Sequence, residues 1–238
     1  MYVIMPCFNT EKEIHDLTEM AVESIRNAGN VKLIIVDNGS TYAVKALKNL
    51  ADIYIRNETN LGYPKAVNQG LKKAKSKVIC IANNDIRVPK GIFDLEKELL
   101  KYHKIGSLHF KMINYDQPFE FGNELFATGK ERWCTSSFFF IKRQAIPKDG
   151  YDENFGMGGY DDYDFWHRVR HLNGWQTAYT NVSAYQHFGS WTLSKVPESE
   201  KHEKNLKYFV KKWGEEPDKL FQKRYPEQWE INYLEGFE

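Results

Sequence analysis

The chain is short of cysteine, of net charge and of long apolar runs, and each shortage excludes a class of protein. Its three cysteines, Cys7, Cys80 and Cys134, are too few and too scattered for a disulfide framework or a zinc site. Cys7 and Cys80 sit in apolar, strand-like runs, where a cysteine serves as a small buried hydrophobe. Reduced thiols and a cytoplasmic setting are therefore expected. The 33 basic and 32 acidic residues leave a net charge of +1. With no local basic patch, no nucleic acid is expected as a partner. The longest apolar runs, Val78 to Ala82 and Phe138 to Ile141, fall far short of a membrane span. No basic region precedes a long apolar stretch at the N-terminus, so no signal peptide is expected. Peripheral membrane contact stays open.

Aromatics are plentiful, at 15% of 238 residues. An aromatic-rich core accounts for them, and sugar stacking is the functional alternative, because Trp and Tyr combine a flat apolar face with a polar handle.

The first hundred residues alternate β-branched runs with helix-period stretches. Tyr2 to Met5 reads as a buried strand. Thr10 to Glu13 reads as a capping box opening a helix whose inner stripe is Ile14, Leu17, Ala21, Ile25 and Ala28. Lys32 to Val36 is the next strand and Ala43 to Leu50 the next helix, followed by a short strand over Ile53 to Ile55. Pro64 opens a third helix that buries Ala66, Val67, Gly70, Leu71 and Ala74, and Val78 to Ala82 is a fourth strand. This rhythm predicts an α/β fold with a mainly parallel sheet flanked by helices. Ligands of such sheets bind beyond the carboxyl ends of the strands. Three polar clusters fall there: Pro6 to Asn9, Asp37 to Ser40, and Asn83 to Asp85.

The second half is less regular. Lys111 to Lys130 reads as loops and short strands, Thr135 to Lys142 as a core strand, and Asp161 to Asn173 as a helix burying Phe165, Val169 and Leu172 before Gly174. Thr177 to Tyr185 suggests a strand, and Glu200 to Trp213 an amphipathic helix ended by Gly214.

Each polar cluster has two readings. Asn83-Asn84-Asp85 makes a tight turn, or Asp85 holds a hard divalent cation against a nucleotide diphosphate. Asp37 caps a helix or accepts from a nucleobase. Asp161, Asp162 and Asp164 complement a helix dipole, with Asp164 placed to pair with Arg168, or one of them acts as general base. His187 is structural or a ligand.

Taken in order, these motifs resemble the inverting glycosyltransferases of family 2, which have the GT-A fold, a Rossmann-like α/β architecture. Val3 to Asn9 resembles that family's opening strand, and Ile34 to Thr41 its second strand and nucleotide-binding turn. Asn57 to Gly70, with Asn60, Gly62, Ala66 and Asn68, is similar to its next helix. Asn83-Asn84-Asp85 stands where the family carries Asp-x-Asp, leaving Asp85 as the single carboxylate. Asp161-Asp162-Tyr163-Asp164-Phe165 with Arg168 resembles its Glu-Asp-x-Asp-Leu-x-x-Arg stretch. The resemblance covers residues 2 to 192.

It implies a GT-A domain over 1–194, with a nucleotide-sugar-binding half at 1–90 and an acceptor and catalytic half at 91–194. A C-terminal helical extension follows at 195–238. It also implies a nucleotide-sugar donor, UDP- or dTDP-linked, held by Pro6, Asn9, Asp37, Lys65, Asn84 and Asp85. Mn2+ or Mg2+ would sit on Asp85 and His187. Asp162 would be the catalytic base, with Asp161 beside it. The acceptor would be a glycan or glycoconjugate, as in polysaccharide biosynthesis. A sugar nucleotidyltransferase and a catalytically silent glycan-binding relative are the alternatives. Against the first, Cys7 to Thr10 is neither Gly-rich nor basic.

Overall fold

A period of two sorts the strand residues onto two sheet faces, and the helices follow that sorting. Val3, Met5, Leu33, Ile35, Val78, Cys80, Ala82, Phe138 and Phe140 form one core with Ala21, Val22, Ile25 and Phe93. Their neighbours Ile4, Ile34, Val36, Ile79, Ile81, Phe139 and Ile141 form the other, with Ala66, Val67, Phe165 and Trp166. The computed structural model describes residues 1–123, 125–128, 136–189, 203–224 and 232–233. Cys134, Thr135 and residues 195–202 lie outside them.

The strands are β1 (Tyr2–Cys7), β2 (Lys32–Asn38), β3 (Ile53–Asn57), β4 (Val78–Ala82), β5 (Ile86–Arg87), β6 (Ile105–Asn114), β7 (Leu125–Thr128), β8 (Phe138–Lys142), β9 (Gln176–His187) and β10 (Asn232–Tyr233). The sheet runs β10-β7-β9-β6-β8-β4-β1-β2-β3, with β5 paired to β9. The expected α/β sheet is there. β3, β2, β1 and β4 are parallel neighbours, as are β6 and β9. β8 enters antiparallel between β4 and β6. A strand buried on both faces reads as an unbroken apolar run, which is why all four residues of Phe138 to Ile141 have no exposed surface.

The helices are α1 (Lys12–Ala28), α2 (Val44–Leu50), α3 (Tyr63–Lys73), α4 (Glu96–Lys101), α5 (Asp161–His167), α6 (Lys204–Trp213) and α7 (Pro217–Arg224). Several boundaries differ from the sequence reading. No capping box forms at α1: Glu11 is its cap, extended at φ −152° and ψ 170°, and makes no side-chain cap bond. Bonds from Thr41 and Tyr42 to the Asn9 carbonyl, and from Asn9 to Ser40 Oγ, hold the preceding chain. The buried stripe of α1 also takes in His15, Thr18 and Val22, which pattern reading for apolar residues passes over in part.

Leu172 is 65% exposed rather than buried. The helix widens into a π turn over Arg168–Leu172, and the extra residue shifts the phase of everything past Val169. Ile105–Asn114 is a ten-residue strand that the sequence reading left unassigned beyond loops and short strands. Gly174 and Gly214 both take positive φ, 70° and 80°, where helices were expected to stop.

α3 and the segment before α5 meet backbone to backbone. Gly62 has φ +90°, and a Cβ there would lie 1.8 Å from the Gly156 carbonyl oxygen. Asn68 seals the same junction: its Nδ2 donates to the Tyr151 carbonyl at 2.8 Å, and its Oδ1 accepts from the Tyr151 amide at 2.8 Å. Gly62→Ala combines left-handed strain with this collision, so it should cost more than about 2 kcal/mol in urea unfolding. A loss under about 0.5 kcal/mol, the scale of a neutral surface change, would show that the approach is dispensable.

Candidate functional site

The parallel strands β1, β2 and β4 deliver the three polar clusters to one edge. Pro6 lies inside β1, half-buried and opposite Val36. Asn9 has no exposed surface. Asn84 Nδ2 donates to Asn9 Oδ1 at 3.2 Å and to Thr18 Oγ1 at 2.9 Å, and Asn9 Nδ2 meets His15 Nδ1 at 3.3 Å. The side chains of Asn9 and Asn84 thus join the first and third clusters from beneath, in a bonded buried network.

Asp37 is fully buried too. Its Oδ1 accepts from the Ser40 amide at 2.8 Å, and its Oδ2 from the Tyr54 hydroxyl and the Arg56 guanidinium. Asp37 does not cap α2, which starts after Ala43 in a left-handed turn at φ 51°. What this corner turns outward is Arg56, whose side chain is 37% exposed. Sequence reading missed Arg56, because only the β2–β3 register sets it across from Asp37. Lys65 is exposed on the first turn of α3.

Asp85 and His187 come together through β5 and β9. Ile86 pairs with His187, and the Phe188 amide donates to the Asp85 carbonyl at 3.0 Å. Asp85 Oδ1 and His187 Nε2 are then 3.1 Å apart. Both atoms are buried, and neither completes an aligned hydrogen bond. Two polar atoms this close, with no aligned hydrogen bond between them, fit an imidazolium–carboxylate pair or a shared cation. They are two ligands and not a cage: among the described residues, no group of three or more His, Cys, Asp or Glu could hold a metal. Oxygen donors from elsewhere would have to complete such a site.

Across from them, α5 starts with Asp161, Asp162 and Asp164. Asp161 is 5% exposed, and its Oδ1 accepts from the Gly159 amide at 2.6 Å. Burial, then repulsion from Asp162, pushes its carboxyl up to about 7. Burial raises Asp162 as well. The oxygens of Asp162 are held loosely: Oδ1 accepts from the Tyr163 amide at 2.9 Å, and Oδ2 meets Ser136 Oγ only at 3.5 Å. Asp164 differs. It is fully buried and paired with Arg168 Nε at 2.8 Å and Lys212 Nζ at 2.6 Å, and it accepts from Trp213 Nε1 at 3.0 Å. The expected pairing with Arg168 is there; the two α6 partners had no signal in a segment outside the motifs.

Tyr63 was also missed. Its hydroxyl donates to the Ser136 carbonyl at 3.1 Å. Burial, followed by the charges of Asp161, Asp162 and more weakly Asp85, holds it well above the usual phenol range. One neutral hydroxyl therefore feels both acidic sites. Its position after Gly62 and before Pro64, at a helix start on the ligand edge, is the signal that could have found it.

Residues 2–169 match the Glycosyl transferase family 2. Over 115 residues the chain is 30% identical to the uncharacterized glycosyltransferase YkoT of Bacillus subtilis (strain 168), covering 43% of this chain and 34% of that one. Among solved structures, it resembles S. aureus TarS 1-349 in complex with UDP-GlcNAc, with TM-score 0.67, 16% identity, and coverage of 93% of this chain and 70% of that one. It also resembles GalNAc-T7 with UDP, GalNAc and Mn2+, with TM-score 0.69, 15% identity, and coverage of 95% and 50%. At those identities the two structures share the GT-A fold with it. The chain spans about a third of the length of YkoT.

The raised Asp161 carboxyl makes stability depend on pH. Folding favours its protonated form, so its contribution is largest below the ordinary value of 3.8 and is lost as pH rises through about 7. Asp161→Asn should therefore melt at least about 2 °C higher than the parent at pH 8. The gain should vanish near pH 4, in melting curves followed by circular dichroism. A gain equal at both pH values would contradict the buried charge.

Proposed function

The chain belongs to glycosyl transferase family 2, and from that premise we propose that it moves a hexose from a nucleotide-diphosphate donor to a hydroxyl of a glycan or glycoconjugate, with inversion. The observation that carries this reading is the pairing of two acidic sites around Tyr63. One is Asp85 with His187, suited to a cation; the other is Asp161 with Asp162, both raised.

Residues 1–90 form the donor half in this reading. UDP, present in the GalNAc-T7 structure and as UDP-GlcNAc in that of TarS 1-349, is the favoured nucleotide, with a dTDP-linked donor as the variant. Its base lies near Pro6 and the corner of Asp37, where Arg56 and Tyr54 rather than the Asp37 carboxylate present themselves. Lys65 extends positive charge toward the diphosphate. Asn9 and Asn84 act by holding the edge from below. Asp85 and His187 would hold Mn2+ or Mg2+, which supplies positive charge against the diphosphate as it leaves.

Residues 91–194 form the acceptor half. Asp162 takes the proton of the acceptor hydroxyl, whose oxygen forms the new bond to the anomeric carbon. The bond from that carbon to the diphosphate oxygen breaks on the opposite face, and the diphosphate leaves with the electron pair. One displacement inverts the centre, through a transition state of oxocarbenium character. Asp161, raised to about 7 by burial and by the charge of Asp162, holds its proton while Asp162 is ionised and so stands beside the base as a neutral neighbour. Burial of Cys7 and Cys80 fits reduced thiols in a cytoplasmic enzyme of polysaccharide biosynthesis.

Asp162→Asn should lower kcat by roughly a hundred- to ten-thousand-fold, the usual contribution of a general base, with UDP affinity unchanged by calorimetry. A variant within a few-fold of the parent rate would remove Asp162 from that role. Because the base works only when ionised and burial raises the Asp162 carboxyl, kcat should fall on acidification at a pH above the ordinary carboxylate range. A profile flat down to pH 5 would contradict it.

For the cation, Mn2+ added with UDP should raise the melting temperature of the parent, as a ligand of the native state does. Asp85→Asn or His187→Ala should remove most of that rise. An undiminished rise in both variants would place the metal elsewhere.

A further inference from the structure

α6 lies beyond the family match, which ends at residue 169, yet it grips the turn that leads into the acidic start of α5. Its apolar side packs Phe209 into a small core with Phe155 and Leu220, with Tyr160 and Tyr208 at its margin. Its polar contacts converge on the same turn. Asn205, 5% exposed, donates from Nδ2 to the Phe155 carbonyl at 2.8 Å and to the Gly158 carbonyl at 2.7 Å.

The second of these bonds matters most. The Gly158 carbonyl belongs to the same peptide unit as the Gly159 N–H, and that N–H donates to Asp161 Oδ1 at 2.6 Å. Asn205 therefore holds one end of a peptide plane whose other end holds a carboxylate of the acidic pair. A peptide between two glycines turns over more readily than any other, since neither residue resists positive φ. Gly158 and Gly159 sit at φ +116° and +95°. Turning that plane would break both bonds at once and present a carbonyl oxygen to Asp161.

The geometry points to Asn205 as a positioning residue for the Asp161–Asp162 pair, acting through the Gly158–Gly159 peptide, so that α6 is a working part of the acceptor side. This assignment rests on the reading of Asp162 as base. The remaining α6 contacts, Lys212 to Asp152 and Asp164 at 2.6 Å each and the Tyr208 hydroxyl to Asp152 at 2.8 Å, hold the helix in place for that task.

The test uses Asn205→Asp, nearly the same shape but with an acceptor facing two carbonyls. Asn205→Ala deletes the donor without that repulsion, should the first variant fail to fold. Lys207→Ala, which removes only an exposed ion pair to Glu203, is the control. Two readouts are taken. Hydrogen exchange over residues 155–162 should speed up in both Asn205 variants, and exchange in α1 should not change. Per folded molecule, kcat should fall about ten- to a hundredfold with the donor KM unchanged, the scale expected of a displaced catalytic group. Unchanged exchange over 155–162 would overturn the clamp, and kcat within twofold of the parent despite faster exchange would overturn its part in catalysis. A parent chain that transfers no sugar from any donor would instead sink the functional reading, and exchange would still decide the clamp.

Discussion

A carboxylate with no exposed surface must have its charge met inside the protein, and Asp164 is such a group. Arg168, one turn on, meets one oxygen; Lys212 and Trp213 of α6 meet the other. Breaking a buried pair by removing one partner costs about 3–5 kcal/mol, on the scale of a whole domain's stability. That single charge therefore fixes where α5 starts and obliges the C-terminal helix to lie against it. The neighbouring Asp161 and Asp162 inherit their positions from the same helix start. Among the described residues they have no such partners, and burial raises their carboxyls.

The donor edge is held by amides instead of charges. Asn38 takes the Asn57 side chain and the Leu61 amide on its Oδ1, and gives its Nδ2 to Asn60 and the Gly62 carbonyl. Asn9, Asn84 and Thr18 do the same beneath β1 and β4. Side-chain amides both donate and accept, so a few of them can fasten loops that regular pairing does not reach. The charged groups left at this edge are Asp85, Lys65 and the Asp37–Arg56 pair.

Much of the fold was legible because unbroken apolar runs in β1, β2 and β4 and helical spacing in α1 and α3 carry it. The acidic start of α5 and the strand-end clusters were legible for the same reason: topology puts them on one edge. What was hidden depends on register or on distant partners. Arg56 faces Asp37 only because β3 pairs as it does. His15 and Thr18 are polar residues on a buried stripe, which an apolar pattern discounts. Leu172 follows the helical period on paper, and a π turn carries it out into solvent. Asn205 and Lys212 act across some fifty residues of chain, a separation on which local pattern is silent.

The contact between Gly62 and Gly156 limits how segments can be exchanged. Gly62 touches the Gly156 carbonyl with no side chain between them, so position 62 cannot accept a larger residue unless the turn before α5 moves away. Asn68, bonded in both directions to Tyr151, adds a second fastening of the same kind. The two halves of the chain are thus fastened to each other at this seam. A graft that brings in the lead-in to α3 from another protein would therefore have to bring the turn before α5 with it.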